Sequence, residues 1–490
     1  MPRRSPRIAV LGSGFAGSLC ALILNRLGHD VLVIDRARHP RFAIGESSTP
    51  TANLALLALC DRYGLPAIRP LAKYGSWQAR YPQIAGGRKR GFSYFQHTPG
   101  RPFEPDPAHG NELLVAASPD DLQSDTQWFR ADVDAFFADQ VREAGIPIWE
   151  DTSLLAATPG ARWRLEVVRD GRTVDLDAAF VIDATGPGGA LAQALHLPDE
   201  RDLLHTQSRA LYTHVEGLPT WASQLARAGA SLQDHPFACD DAALHHLLEA
   251  GWMWWIRFNN GLTSAGFVLD TRSAPAESDW ASLLAPYPSL DAGFAEARLA
   301  DRPGAVVQTG RLQRLSARIA GDTWALLPHA AGFVDPLHST GIAHTLLGIE
   351  RLMRIFERSW GRPALPAKLA GYAASVREEL RHVDRIVDAG YAAMGDFRLF
   401  TATTMLYFAA AIAYEERRIK AGVEDDLLLM ANDPGLRGIV ANFHRSLREA
   451  GPRDVPAIEA AIEAAIRPYN TAGLFAPAAP NMYAYTAATF

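Results

Sequence analysis

Cysteine is almost missing from this chain of 490 residues, and the three present, Cys20, Cys60 and Cys239, are scattered with no CxxC pair. A disulfide framework and a cysteine zinc site are therefore excluded, a reducing compartment is implied, and no metal is expected. Lysine is nearly as scarce: Lys73, Lys89, Lys368 and Lys420 stand against forty-four arginines among 48 basic residues. With 54 acidic residues the formal net charge is −6, so the basic excess that attracts nucleic acid is lacking and no such partner is expected. Long apolar runs are lacking too. The stretch Ala402 to Ala413 is too short to span a bilayer comfortably, reads as a buried helix or an interfacial segment, and gives no reason to expect stable membrane insertion. Met1 to Arg7 followed by apolar Ile8 to Leu11 mimics a signal peptide, but glycines interrupt the pattern, so the expected location is cytoplasmic.

What is there is a βαβ opening. A strand (Ile8 to Leu11), a glycine turn, a helix (Gly17 to Leu27) and a second strand (Val31 to Ile34) follow in order. Gly12-Ser13-Gly14-Phe15-Ala16-Gly17 supplies GxGxxG between strand and helix: Gly12 permits the tight turn, Gly14 lets a pyrophosphate approach, and Gly17 allows close helix packing. Asp35 ends the second strand, where an acid accepts hydrogen bonds from ribose hydroxyls. Helices are predicted near Asp132 to Ala144 and Ala367 to Met394, short buried strands at Ala179 to Ile182 and Trp324 to Leu327, and a hairpin from Trp252 to Leu269 around Asn259-Asn260-Gly261. After Leu365 the chain reads as helical until Pro468, then as an irregular tail. The expected fold class is α/β: a Rossmann-like FAD-binding domain, a mixed β-sheet substrate region and a mainly helical C-terminal region. Residues 1–365 would form the catalytic body, with a substrate-side sheet inserted at roughly 200–310, and 366–490 the helical region shaping the acceptor pocket.

Several motifs choose between nicotinamide and flavin. Val181-Ile182-Asp183-Ala184-Thr185-Gly186 resembles the second flavin-contacting motif of the FAD monooxygenase superfamily, and Arg130 resembles that superfamily's FAD-contacting arginine; the alternative for Arg130 is a helix pair with Asp134. Four further segments resemble flavin-dependent halogenases. Gly45-Glu46-Ser47 with Pro50 is similar to a GES-x-x-P segment beside the flavin. Lys73-Tyr74-Gly75 is similar to the stretch carrying the reactive lysine; in a chain that writes Arg almost everywhere, a Lys here matters because only an amine presents a neutral nucleophile. Lys89, in Arg88-Lys89-Arg90, is the second choice, and a solvated lysine is the plain alternative for Lys73. Trp252-Met253-Trp254-Trp255-Ile256 resembles WxWxIP with Arg257 in place of proline, so Trp252 and Trp254 would line a tunnel, or simply form core. Ala330 to Ile342 (AAGFVDPLHSTGI) resembles the segment beside the isoalloxazine, which places Asp335 and Ile342 at the cofactor and Thr340 and Gly341, at a helix start, at the halide.

The resemblance departs at Pro328-His329, where many relatives have Gly-Asp, and at His338, where halogenases of free tryptophan have Glu; His338 is a candidate general base, and the change argues against free tryptophan as substrate. What the resemblance implies is an FADH2- and O2-dependent halogenase that uses chloride or bromide. A flavin C4a-hydroperoxide would give hypohalous acid, relayed to Lys73 and on to a phenol, pyrrole or indole, free or tethered to a carrier protein. With a single GxGxxG, FADH2 would come from a separate flavin reductase. The rival expectations are an FAD-dependent aromatic hydroxylase and a catalytically silent flavin-binding protein.

Overall fold

The computed structural model describes residues 8–421, 426–449 and 454–487; the basic start Met1 to Arg7 lies outside them. The apolar strands Ile8–Leu11 and Val31–Ile34 are fully buried and pair in parallel, and Phe180–Asp183 pairs in parallel on the other side of the first. Such strands are apolar on both faces because helices cover both faces of a parallel sheet. Trp324–Leu326 and Ile148–Trp149 extend this sheet, and an antiparallel Ala320–Gly321 closes it to six strands. Leu11 stands opposite both Ile34 and Asp183, so Gly12, Asp35 and Ala184 all leave the same edge of the sheet. That edge is where open α/β sheets bind their ligands.

A second sheet of nine strands stands beside the first. Its order runs Arg298–Leu299, Ser208–Glu216, Leu262–Asp270, Gly251–Arg257, Ala242–Leu248, Gly91–Gln96, Glu112–Ala116 and Met482–Tyr483, with Val307–Arg311 pairing to Ser208–Glu216. The sheet therefore draws strands from residues 91–116 as well as from 208–311, where an inserted sheet was expected at roughly 200–310. Its last member corrects the reading of the C-terminus as irregular: Met482–Tyr483 pairs in parallel with Leu114 and Val115. Two residues of weak periodicity do not announce a strand; the open edge of Glu112–Ala116 supplies the pairing.

Alternation along Gly251–Arg257 decides which core each aromatic joins. Trp252 and Trp254 pack into the core shared with the Rossmann-like sheet, whereas Met253 and Trp255 pack into a second core on the opposite face. Gly266 stands across from Trp254, and a Cβ there would come within 2.3 Å of the indole, so the strand pair accepts this Trp only because its partner lacks a side chain. The helices Thr340–Ser359, Leu365–Ala393 and Phe397–Ala421 close over the first core. The last is long and apolar enough to cross a membrane, but 89% of its apolar window is buried inside the protein, as a core helix is.

Candidate functional site

The glycine loop is built by close approach. Gly12 has φ 95°, and Gly17 sits so near the preceding strand that a Cβ on it would lie 1.9 Å from the Gly12 carbonyl oxygen. Gly14 caps the helix Phe15–Arg26, with Phe15 and Ala16 buried behind it. A side chain at Gly14 would project toward the Asp134 carboxylate at 3.3 Å and the Arg130 and Arg41 guanidiniums at 3.6 and 3.7 Å, so the position is kept small at a helix N-terminus beside two cations that Asp134 and Asp35 pair. That combination fits a pyrophosphate.

Arg130 makes the predicted pair with Asp134, donating Nε and Nη2 to its two carboxylate oxygens at 2.9 and 2.8 Å. It also donates Nη1 to the carbonyls of Ile44 and Gly45, so it clamps the Gly45-Glu46-Ser47 loop against the first helix, where Asp134 accepts from the Phe15 N–H. Glu46 is buried and bonds the His214 imidazole at 2.8 Å, while Ser47 bridges to Gln127. Asp35 accepts from the Ser13 N–H, the Ser13 hydroxyl, the Ala37 N–H and Arg41. Burial alone would raise its pKa, but Arg41 and these donors hold the carboxyl below its ordinary value. Asp183 is spent internally: one oxygen takes Thr185, the other the Leu191 N–H, which shapes the turn after the strand, and burial raises its pKa.

Thr340, Gly341 and Asp335 line one cleft together with His329, His344 and Thr345. The 20-residue helix Thr340–Ser359 begins here without a side-chain cap, and nothing lies within 4 Å of a Cβ built on Gly341, so the helix start borders open space at Gly341. Ile342 is buried one residue further on. Asp335 accepts from the Ser208 and Tyr391 hydroxyls and the Leu337 N–H, and burial pushes its carboxyl up to about 7. In the departure from Gly-Asp, His329 bonds the Ala184 carbonyl at 3.1 Å, and Pro328 packs against Gly348. Arg314, unmarked by any local motif, reaches the Gly186 and His329 carbonyls; burial lowers it to about 10.

From this cleft a chain of ring contacts leads to the lysines. His338 is buried, held neutral by a pKa lowered by burial to about 3, and stacks on Tyr407 at 4.3 Å. Tyr407 meets Phe92 edge to face, and the Lys89 ammonium nitrogen sits 4.0 Å from the Phe92 ring centroid. Lys89 is fully buried and donates to the Ser48 carbonyl at 2.7 Å; burial lowers its pKa to about 7 against the opposing pull of Asp125. Lys73 is 23% exposed and pairs with the other side of the same group, its Nζ 3.5 Å from Asp125 Oδ1. Asn53 also donates to Asp125, and Thr51, in the same helix turn, donates to Glu415 at 2.7 Å. Burial pushes Glu415 up to about 8.

Trp252 donates its indole N–H to Tyr391 and Trp254 to Ser264, so both are satisfied and buried on this side of the sheet. Arg257 points to the opposite face, where it binds Asp240 and the Leu218 carbonyl, away from Trp252 and Trp254. Lys73, Lys89 and His338 thus meet in one region, joined by Asp125, Glu415, Asn53 and Thr51. Sequence reasoning missed these four because they come from distant segments and form no local motif.

A profile of the tryptophan halogenase family matches residues 127–396, and one of the NAD(P)-binding Rossmann-like domain matches residues 10–79. The chain is 31% identical to the monodechloroaminopyrrolnitrin halogenase PrnC of Pseudomonas fluorescens, over 88% of this chain and 77% of that one. It is 28% identical to the tetracycline 7-halogenase of Kitasatospora aureofaciens, over 84% and 75% of the two chains. The crystal structure of halogenase PltM in complex with phloroglucinol and FAD superposes with a TM-score of 0.83 over 95% of this chain and 96% of that one, at 24% identity, which extends the likeness to the fold. Profile, relatives and fold agree, and the chain belongs to the tryptophan halogenase family and is a flavin-dependent halogenase.

Proposed function

We propose that the protein chlorinates or brominates an electron-rich aromatic acceptor in the chamber walled by Phe92, Tyr94, His338 and Tyr407, with Lys89 as the amine that presents the halogen. The carrying observation is a fully buried lysine whose pKa is lowered to about 7, lying on an aromatic path from the cleft at Thr340. When bound at the glycine loop and the Thr340 cleft, reduced FAD would supply oxygen activation; a separate flavin reductase would deliver it. The uncapped helix start at Thr340 and Gly341 suits a halide.

Hypohalous acid made there passes between His338, Tyr407 and Phe92, which keep water out. The neutral Lys89 amine attacks the halogen, so that an N–halogen bond forms as the O–halogen bond breaks and water leaves with the amine proton, because a desolvated amine is neutral in good part near pH 7. Lys73, the first choice on sequence, pairs with Asp125 and opposes the rise that burial imposes on its carboxyl. His338, being neutral, is a hydrogen-bond partner for the acceptor through its unpartnered Nδ1, and with a pKa lowered to about 3 it is too weak a base to take the acceptor's proton. Tyr94 Oη, Thr404 Oγ1 and Asp125 Oδ2 also lack partners among the described residues, which favours an acceptor with polar substituents on its ring.

The test supplies purified protein with FAD, a flavin reductase, NADH, oxygen and bromide, and follows phenols, pyrroles and indoles by mass spectrometry. Brominated product lost in Lys89→Ala and merely reduced in Lys73→Ala is expected. The converse pattern would return the role to Lys73, and hydroxylated product independent of bromide would replace the halogenation reading.

A further inference from the structure

A single hydroxyl joins the cleft to the wall of the chamber. Tyr391 lies near the end of the helix Leu365–Ala393, and its Oη donates to Asp335 Oδ2 at 2.9 Å while accepting from the Trp252 indole N–H at 3.0 Å. Asp335, Trp252 and Tyr391 are all buried, so a donor or acceptor left over among them is not made good by bulk water.

Asp335 shapes the turn between cleft and chamber. Its Oδ1 accepts from the Leu337 N–H two residues on, and its Oδ2 also takes the Ser208 hydroxyl at 2.6 Å, which in turn accepts from the Gln313 amide. The same turn then sends His338 to its stack on Tyr407 in the chamber, and Ser339, at φ 52°, leads into the helix start at Thr340 in the cleft. Trp252 holds the other side. Its ring lies 4.9 Å from that of His245, which stacks on Tyr94 at 4.5 Å. Donors therefore run from both directions, Gln313 to Ser208 to Asp335 and Trp252 to Tyr391 to Asp335, and end on one carboxylate, an arrangement in which each hydrogen bond strengthens the next.

We infer that Tyr391 is a positioning residue for halogen delivery: by bridging Asp335 and Trp252 it holds the turn against the sheet, so that oxidised halogen leaving the cleft enters the chamber and is not released to water. The inference rests on the reading of cleft and chamber given above, but not on which lysine acts. The place calls for a group that donates on one side and accepts on the other, which a phenol does and a phenylalanine ring of the same shape does not. Tyr372 supplies a matched control: it is buried on the same helix, but its hydroxyl donates to the Leu326 carbonyl of the Rossmann-like sheet at 2.8 Å and not to the turn.

Wild type, Tyr391→Phe and Tyr372→Phe are each taken through a single turnover with photoreduced FAD in aerated bromide, with a β-diketone in solution that is brominated by escaped oxidised bromine. A second portion is denatured first, which gives the total. Tyr391→Phe should raise the escaped fraction at least threefold over both other proteins while FAD affinity stays within about threefold. Equal fractions in all three, or the same rise in both phenylalanine variants, overturn the inference. A wild type that oxidises no bromide refutes the reading of the site instead, and the bridge is then decided without turnover. In protein labelled with a fluorinated tryptophan, the Trp252 resonance, identified by its loss in Trp252→Phe, should shift on adding FAD in wild type and Tyr372→Phe and by less than half as much in Tyr391→Phe; equal shifts in all three overturn the role of Tyr391.

Discussion

Replacing Lys89 by Met should make the protein more stable and inactive at once. The side chains have similar length, and the site at Lys89 is fully buried. Burial lowers the lysine from 10.5 to about 7, and at 1.36 kcal/mol per pKa unit this corresponds to about 4–5 kcal/mol that folding gives up near neutral pH. Because the folded pKa lies below the unfolded one, the folded state binds fewer protons. The penalty is whole below about pH 7, shrinks as pH rises, and vanishes above about 10.5. Met removes it but leaves the Ser48 carbonyl without its donor, at a cost of about 1–3 kcal/mol, so a net gain of roughly 1–4 kcal/mol remains. Urea unfolding followed by tryptophan fluorescence measures it, at about pH 6 and again at about pH 10, where the penalty has almost gone and the Met variant should be the less stable of the two by up to about 1–3 kcal/mol, the cost of the unpaired Ser48 carbonyl. A variant less stable than wild type by the same amount at both pH values would show that Lys89 is charged and well paired, and the proposed chemistry of a neutral amine would go with it.

Asp125→Asn removes the charge that opposes the fall of the Lys89 pKa, so the limb of the pH–rate profile belonging to Lys89 should move to lower pH; an unmoved limb assigns that limb elsewhere. Glu415 has its folded pKa raised by burial to about 8, so the stability it contributes is present below its unfolded value of 4.5 and lost as pH rises through about 8. Glu415→Gln should flatten that loss in thermal melts between those limits. Gly17→Ala places a Cβ 1.9 Å from the Gly12 carbonyl oxygen and must push the first helix off its strand. A cost of about 1–3 kcal/mol and at least tenfold weaker FAD binding are expected, read by thermal melting and by quenching of flavin fluorescence.

The sequence by itself determined whatever is local. Strand, glycine turn, helix and Asp35 lie within about thirty residues, and their order forces a βαβ unit because consecutive apolar strands with a helix between them pair in parallel. The thirteen residues from Ala330 to Ile342 likewise mark a helix start whose geometry follows from adjacent residues. Other assignments depended on partners the sequence does not name. In sequence Arg130 reads as an FAD-contacting arginine or as a helix pair with Asp134; the structure shows the pair and adds a clamp on the Ile44 and Gly45 carbonyls that no local pattern announces. Arg257 differs from the expected proline, and only the alternation of its strand shows that it faces away from the chamber. In sequence Lys89 is the second choice, in the middle of a basic cluster, yet Arg88 and Arg90 turn to Asp121 while Lys89 turns inward to Ser48 and Phe92. Residue type and spacing are written in the chain, but desolvation and charge pairing depend on which distant segments pack against a side chain. That is why the sequence determined the Rossmann-like opening and the family, and the tertiary structure alone decided which lysine is buried and which carboxylates surround it.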